Sequence, residues 1–240
     1  MAEQTTKRPR TPRKRQAEIF AAAARIFHEK GYDATSIQDI ADEVGLLKGS
    51  LYYYIESKDD LLYAILKDAH EQALENLKRT EDVEGDALTK IRAFVIAHIT
   101  FSTENLVEMG VFFHDFRSLS AERQQEIVEA RDAYERALRD LIVEGQREGV
   151  ICVDIEPKLA TIGILGLLNW IYHWYRAGGE LHPLDVANEY ANFVIAGLQC
   201  SPATHVKGHR STLGAFSPEA LGIAPGSNGR SNAAKKPRAR

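Results

Sequence analysis

Cysteine is scarce in this sequence. Only Cys152 and Cys200 occur among the 240 residues, far apart and without a C-x-x-C spacing or a nearby histidine cluster. A disulfide framework requires several paired cysteines, and a structural zinc site requires several close ligands. We therefore expect neither a disulfide framework nor a metal site, and this cysteine usage suits a reducing cytoplasm.

Long apolar runs are also missing. No stretch reaches the roughly eighteen apolar residues of a membrane span. The basic residues between Lys7 and Arg15 are not followed by the apolar segment of a secretory signal. We expect a cytoplasmic protein without a membrane partner.

Sequence signatures of catalysis are absent as well. There is no H-E-x-x-H spacing, no nucleophile elbow and no glycine-rich phosphate loop. We therefore expect neither an enzyme nor a cofactor. Among the histidines, we expect the following six to line a pocket or lie on the surface: His28, His70, His98, His114, His173 and His182.

The charges are unevenly distributed around a formal net charge of −4. Residues 7–67 carry 11 Lys and Arg against 9 Asp and Glu, residues 68–200 carry 12 against 23, and residues 201–240 carry 7 against Glu219 alone. A polyanion such as DNA would be attracted to the N-terminal part and repelled by the middle of the chain.

The apolar residues repeat with the period of an α-helix. They recur every three to four residues, and no segment shows the alternation and hairpin turns that are typical of strands. We predict an all-α fold with about nine helices, over residues 12–30, 37–44, 48–55, 58–78, 86–105, 108–119, 121–148, 157–177 and 184–198.

Residues 36–55 have the pattern of two short helices joined by a tight turn. Ser36 and Asp39 form a capping-box start, Gly45 ends the first helix, and the second begins near Lys48. A helix-turn-helix that exposes polar and aromatic side chains on its second helix can enter the major groove of DNA. The core that would fix the angle between the two helices is Ile37, Ile40, Val44, Leu51 and Ile55.

The same region closely resembles the signature of the TetR family. The matching segments are T-S-I-Q-D-I-A at 35–41, V-G at 44–45, K-G-S-L-Y-Y-Y at 48–54 and S-K-D-D-L-L at 57–62. The resemblance implies a dimeric repressor that binds operator DNA and releases it when a small molecule binds. The DNA-binding residues that it implies are Ser36, Gln38, Lys48, Gly49, Ser50, Tyr52, Tyr53, Tyr54 and Lys58.

The chemistry of these residues agrees with DNA contact. Glutamine can pair with adenine, tyrosine can pack on a thymine methyl group or donate to phosphate, and lysine binds phosphate. Each could instead be an ordinary surface residue. The sequence departs from the family at Tyr54 and Ile55, where histidine and phenylalanine are frequent; Tyr54 keeps a phosphate donor but loses a titratable ring.

Composition and resemblance together divide the chain into four parts. We predict a disordered basic arm over residues 1–11, the DNA-binding domain over 12–57, a ligand-binding and dimerisation domain over 58–200, and a disordered basic tail over 201–240. The tail either adds non-specific DNA affinity or is a solvated tail without a defined role.

The family places an effector pocket in its C-terminal part, which is rich here in large apolar side chains: Phe94, Phe101, Met109, Phe112, Phe113, Phe116, Trp170 and Trp174. Such side chains suit a hydrophobic ligand, although at helical spacing they are also typical of a plain core. The predicted ligand contacts are Phe101, Met109, Phe113, Arg117, Asn169, Trp170, His173 and Trp174.

The sequence W-Y-R-A-G-G at residues 174–179 resembles a subgroup of the family that represses fatty-acid and steroid breakdown and responds to acyl-CoA thioesters. This resemblance implies an acyl-CoA inducer, whose phosphates need cations at the pocket mouth. The candidate cations, each of which could instead be a solvated or ion-paired surface residue, are Arg117, Arg123, Arg147 and Arg176.

Small residues recur on the last two predicted helices and would allow another backbone to approach closely. They either form a four-helix interface between two subunits or pack within one subunit. They are Ala160, Gly163, Gly166, Ala187, Ala191 and Gly197.

A second class of function remains open at this point. A DNA-packaging protein that uses its two basic ends would bind DNA without regard to sequence. Weak discrimination between an operator and a random duplex would favour that function over a repressor.

Overall fold

The computed structural model describes residues 12–80 and 82–199, so the predicted basic arm, the basic tail and Cys200 lie outside it. No helix in this part of the chain is long and apolar enough to cross a membrane. The helices are α1 (Pro12–Lys30), α2 (Ile37–Glu43), α3 (Lys48–Leu51), α4 (Lys58–Lys78), α5 (Ala87–Glu104), α6 (Leu106–Asp115), a 3-10 helix (Phe116–Ser118), α7 (Ala121–Glu148), α8 (Pro157–Asn169), α9 (Ile171–Trp174) and α10 (Pro183–Leu198).

The all-α prediction is confirmed, because every predicted helix is present and no strand occurs among the described residues. The helices begin where the sequence supplies a hydrogen-bond acceptor. The side chains of Ser36, Ser57, Asp86, Ser120 and Glu156 each accept the backbone N–H three residues further on. Such caps satisfy a backbone donor that has no partner inside the helix.

The predicted second helix of the helix-turn-helix is too long. It was expected to reach residue 55, but α3 ends at Leu51. The N–H groups of Tyr53 and Tyr54 donate to carbonyl groups only three residues back, which is the spacing of a tight turn. Ser57 already has the extended backbone of the cap of α4, so the chain must leave the helical conformation before it.

The helix predicted over residues 157–177 is divided at Trp170 and ends early. Helix α9 stops at Trp174 because the backbone of Tyr175 is extended. The hydroxyl of Tyr175 donates to the carbonyl of Leu181, and Gly178 has a φ of 77° in the turn that follows. A positive φ of this size is readily adopted by glycine.

Two apolar cores hold the helices together. The first, which includes Phe27, Ile40 and Leu51, joins α1–α4 to α6 and the start of α7. The second is centred on α5, where Phe94 and Ile99 are fully buried and α10 packs along the helix. Helix α6 packs against α1 and α4, so the N-terminal helices contact the larger helical body directly.

Candidate functional site

Helices α2 and α3 form a helix-turn-helix whose turn is set by Gly45. This residue has a φ of 64°, and its N–H and that of Leu46 donate to the carbonyl groups of Asp42 and Ala41. These two bonds make the Schellman motif that ends many helices. Leu51 is fully buried beneath the turn, which fixes the orientation of α3 on the core.

The outer face of α3 and its flanks is exposed. Leu47 and Tyr53 are 79% and 80% exposed, and Tyr52 is 46% exposed. Lys48 and Ser50 are exposed beside them. A hydroxyl-bearing and cationic face of this kind, carried on a short helix, has the chemistry to contact DNA bases and phosphates.

Gly49 lies on this face, where a Cβ atom would meet no other atom of the protein within 4 Å. Packing inside the chain therefore does not require glycine at this position. A residue without a side chain does allow an external backbone to approach closely.

Four other predicted DNA contacts already have partners within the chain. Ser36 and Asp39 form the capping box of α2, and the side chain of Gln38, although exposed, donates to Asp42 at 2.7 Å. The ammonium group of Lys58 donates to the carbonyl groups of residues 32 and 35 at 2.9 and 2.8 Å. Tyr54 is half-buried against the first core. The ammonium group of Lys58 also lies 4.2 Å from the centre of the Tyr32 ring.

A cavity of about 270 Å³ lies between α4, α5, α6, α7 and α8. Its inner wall is formed by buried residues of α4 and α5, and exposed residues of α6, α7 and α8 mark its mouth. Four of the predicted ligand contacts line it, namely Phe101, Met109, Phe113 and Asn169.

The other four predicted ligand contacts do not line this cavity. Arg117 is exposed in the 3-10 helix, and Trp174 stacks on Tyr190 of α10. Trp170 is 55% exposed and its ring lies 4.3 Å from that of His173. Trp170 and His173 lie outside the cavity because of their positions around the helix axis. Leu168 and Ile171 are fully buried, which turns positions 170 and 173 outwards.

The predicted ligand contacts omit several polar residues of the cavity wall, including His70 and His98, two of the histidines that were expected to line a pocket or lie on the surface. His70, His98 and Ser102 are buried, and Tyr134 stands between the two histidines with its ring 6.5 and 5.7 Å from theirs. One sequence signal was available, since His98 and Ser102 stand one turn apart in a mostly apolar stretch of α5. The contribution of α7 had no such signal.

The inner wall is polar but uncharged at neutral pH. Nδ1 of His98 lies 2.8 Å from the hydroxyl of Tyr134, and burial lowers the pKa of His98 to about 4. Burial also lowers the pKa of His70 and raises that of Tyr134 above its usual range. Burial has this effect because it disfavours the charged form of each group.

The predicted cations at the mouth also require correction. Arg123 contacts both Asp59 and Asp60 at the start of α4, with 2.6 Å to Asp59. Arg117, Arg147 and Arg176 are exposed and do not line the cavity. The arginine that does is Arg131 on α7, which has no ion pair among the described residues.

Two connections link the cavity walls to the helix-turn-helix. Helix α6, which lines the cavity, carries Asp115, whose carboxylate accepts the backbone N–H of Tyr32 at 3.3 Å. Gly110 of the same helix lies against His28, since a Cβ added there would clash with the ring of that histidine. Arg123 of α7 makes the second connection through its contacts with Asp59 and Asp60. A movement of α6 or α7 would therefore displace residues of the N-terminal helices.

Helices α8 and α10 expose apolar and small residues. Leu159 and Ile162 are 69% and 50% exposed on α8, and Phe193 is 70% exposed on α10. Gly163, Gly166 and Gly197 are exposed with no atom near the position of a Cβ. By contrast, Ala187 and Ala191 are fully buried in the core of their own subunit. Packing within one subunit therefore applies to Ala187 and Ala191, and an interface between subunits stays a prediction for the exposed glycines.

Two family models match the chain. The one described as "Bacterial regulatory proteins, tetR family" matches residues 19–65, and the one described as "Tetracyclin repressor-like, C-terminal domain" matches residues 84–198. The first match spans the helix-turn-helix, and the second spans α5 to α10.

Relatives and solved structures agree over both regions. The HTH-type transcriptional repressor KstR2 of Mycolicibacterium smegmatis is 27% identical over 192 residues, which cover 79% of this chain and 93% of the relative. The TetR family regulator PfmR from Thermus thermophilus is 32% identical, with a TM-score of 0.70 over 76% of this chain and 99% of that one. AibR in complex with isovaleryl coenzyme A and operator DNA is 26% identical, with a TM-score of 0.68 over 77% and 98%.

Proposed function

This chain belongs to the TetR family of bacterial regulatory proteins, and on that premise we propose that it is a homodimeric transcriptional repressor released from a palindromic operator by an acyl-CoA thioester of lipid or steroid catabolism. In this proposal residues 12–57 form the DNA-binding domain, and residues 58–200 bind the effector and form the dimer.

The observation that carries the DNA-binding part is the exposed face around α3. Lys48 and Ser50 project from α3, Tyr52 and Tyr53 project from the turn after it, and the buried Leu51 anchors the opposite side of the helix. In a dimer, two such helices would enter successive major grooves about 34–36 Å apart and read the two halves of a palindrome. The family contains regulators of this kind, and AibR was solved with its operator.

The exposed faces of α8 and α10 are the proposed dimer interface. Leu159 and Phe193 would be removed from water there, and Gly163 and Gly197 would let the partner helices approach closely. A two-fold axis through this surface gives both subunits the same contacts, as a closed dimer requires.

The size and polarity of the cavity support a thioester effector. Ligand sites usually enclose about 300–1,000 Å³, so a cavity of about 270 Å³ suits the acyl group but not the much larger coenzyme A. The coenzyme would lie outside, where Arg131 offers a guanidinium group for its phosphates. AibR, which binds isovaleryl coenzyme A, provides a precedent in the family.

Release would follow if the effector binds the DNA-free conformation more tightly than the DNA-bound one. A tenfold loss of operator affinity requires about 1.4 kcal/mol of such differential affinity. The contacts of α6 and α7 with Tyr32, Asp59 and Asp60 are the proposed route from the cavity to the DNA-binding domain.

The experiment that tests this function selects the operator first. The protein is incubated with a pool of random duplexes, and bound sequences are enriched over several rounds. Affinity for the enriched duplex and for a shuffled duplex of the same composition is then measured by fluorescence anisotropy at fixed salt. We expect a palindromic consensus bound at least about a thousandfold more tightly than the shuffled duplex.

Decanoyl-CoA is then titrated into the complex, with coenzyme A alone as the control. We expect the thioester to release the duplex and coenzyme A to have little effect. If the enriched and shuffled duplexes bind equally, the DNA-packaging alternative replaces the repressor. An operator that is bound specifically but is never released by a thioester would contradict the proposed effector.

A further inference from the structure

The cavity wall contains buried polar atoms whose hydrogen bonds are not completed by the protein. Nε2 of His70, Nε2 of His98 and Oγ of Ser102 have no partner among the described residues. The backbone of Ala130 approaches His70 and the side chain of Asn169 approaches His98, but neither completes a hydrogen bond of normal geometry to these Nε2 atoms. Buried polar groups in native proteins are nearly always paired, so an unpaired group on a cavity wall indicates a ligand that supplies the missing bond.

The three atoms lie at the inner end of the cavity. His70, His98 and Ser102 are 8%, 7% and 0% exposed and belong to α4 and α5. The exposed lining residues, by contrast, belong to α6, α7 and α8. An acyl-CoA that keeps its coenzyme outside must enter from the exposed side. The part of the ligand that meets the buried histidines is then the end of the acyl group farthest from the thioester.

The same inner end is poorly suited to a carboxylate. No lysine or arginine lines it, and burial keeps His70 and His98 neutral by lowering the pKa of each. A buried carboxylate without a cationic partner has a large desolvation cost. A saturated methyl terminus would avoid that cost but would leave the three polar atoms unpaired.

We propose, on the premise of the acyl-CoA effector argued above, that the inner wall selects an acyl group whose far end carries an uncharged oxygen, a hydroxyl or a ketone. His98 and Ser102 are the residues that recognise this oxygen, and Tyr134 holds the ring of His98 in place through its hydroxyl. A plain alkyl end and a carboxylate end are both disfavoured.

The test compares thioesters that differ only at the far end of the chain. At about 30 Å³ for each water-sized group, a cavity of about 270 Å³ holds roughly nine such groups, so a decanoyl chain is a suitable length. Binding of decanoyl-CoA and of its ω-hydroxy, terminal methyl ketone and ω-carboxy derivatives to the full chain is measured by isothermal titration calorimetry. We expect the hydroxy or the keto thioester to bind at least tenfold more tightly than decanoyl-CoA and the carboxy thioester.

Two variants and a matched control assign the preference to the proposed residues. His98→Phe and Ser102→Ala should each reduce the preference for the oxygenated thioester to less than about threefold, while decanoyl-CoA binding is retained. The control is Thr100→Val on the same helix. Thr100 also has a buried hydroxyl without a partner, but it does not line the cavity, so its variant should keep the full preference.

The outcomes separate this inference from the proposed function. If decanoyl-CoA binds as tightly as both oxygenated thioesters, the selection is overturned and the acyl-CoA effector stands. Equally tight binding of the ω-carboxy thioester would overturn the exclusion of charge. A preference that persists in both His98→Phe and Ser102→Ala would contradict the assigned residues. If no thioester binds at all, the effector class fails and the inference falls with it.

Discussion

The DNA-binding domain and the effector cavity place their candidate residues in opposite environments. Around α3 the proposed contacts are exposed, with Tyr53 at 80%, and they come from one short segment of chain. Around the cavity His70, His98 and Ser102 are buried, with Ser102 at 0%, and the lining residues come from five helices. A surface that reads DNA needs no protein partners for its side chains, whereas a cavity must hold its polar atoms ready for a ligand.

The largest effect is expected from the exposed face. Replacing both Lys48 and Tyr52 by alanine should lower operator affinity about 100-fold, because each removes a contact worth roughly 1–3 kcal/mol to DNA. Affinity for decanoyl-CoA should not change, since neither residue lines the cavity. Anisotropy with the selected duplex and calorimetry with the thioester measure the two quantities on the same preparation.

A surface lysine away from this face provides the control. Lys67 is exposed on α4, where its ammonium group lies 5.6 Å from the centre of the Tyr63 ring, and Lys67→Ala should change operator affinity less than threefold. If Lys67→Ala weakened operator binding as much as the double variant, general positive charge and not the face of α3 would account for DNA affinity.

The second prediction concerns stability in acid. The effector cavity and the DNA-binding domain should lose stability in different pH ranges. Burial places the pKa of His98 at about 4, below its usual 6.5. The unfolded chain therefore takes up a proton first, and stability that is present above pH 6.5 is lost as pH falls towards 4. Between pH 7.5 and 5 the free energy of unfolding should fall by about 2 kcal/mol from this group.

Asp39 in the capping box of α2 responds in a more acidic range. Its hydrogen bonds with Ser36 hold its pKa at about 2, so the stability that it contributes is lost only below about pH 4. Both tryptophans lie at positions 170 and 174, so tryptophan fluorescence during urea denaturation reports the unfolding of the C-terminal helices. The variant His98→Phe should reduce the pH dependence between 5 and 7.5, and the part due to His70, whose pKa burial also lowers, should remain. An unchanged dependence would show that His98 is not its source.

The contrast between the two regions also explains what the sequence could predict. The DNA-binding domain is encoded locally: Ser36 and Asp39 cap α2, Gly45 ends it, and Leu51 anchors α3 about six residues later. Each of these features depends on neighbours in the sequence, so periodicity and capping rules can predict the structure of the domain. The length of α3 was missed because the cap of the next helix follows so closely.

The cavity could be predicted only in part, because helical phase and the packing of distant helices decide which side chains line it. Phe101 and Phe113 were predicted to contact the ligand because they are large and apolar, and both line the cavity. Trp170 was predicted for the same reason, but it points away from the cavity and is 55% exposed. The W-Y-R-A-G-G segment, which suggested a ligand class, forms the end of α9 and the turn after it, where the hydroxyl of Tyr175 donates to the carbonyl of Leu181. In this structure the motif has a local structural role.

The smallest predicted effect concerns the connection between the two regions. Asp115 is largely buried and accepts the N–H of Tyr32, so it joins the cavity-lining α6 to the loop before α2. In Asp115→Ala this link is lost, and the factor by which saturating decanoyl-CoA weakens operator binding should fall about threefold to tenfold. Effector affinity in the absence of DNA should change less than twofold, because Asp115 does not line the cavity.

Asp115→Asn supplies the matched control, because the amide oxygen can still accept from Tyr32. Burial raises the pKa of Asp115 above its usual value, so the neutral amide also removes a buried charge. This variant should keep the coupling of the parent protein. Coupling is reciprocal, so saturating operator must weaken thioester binding by the same factor in each variant. If Asp115→Ala kept the full factor, the hydrogen bond between Asp115 and Tyr32 would be unnecessary for coupling, which would then depend on the contacts of Gly110 with His28 and of Arg123 with Asp59 and Asp60.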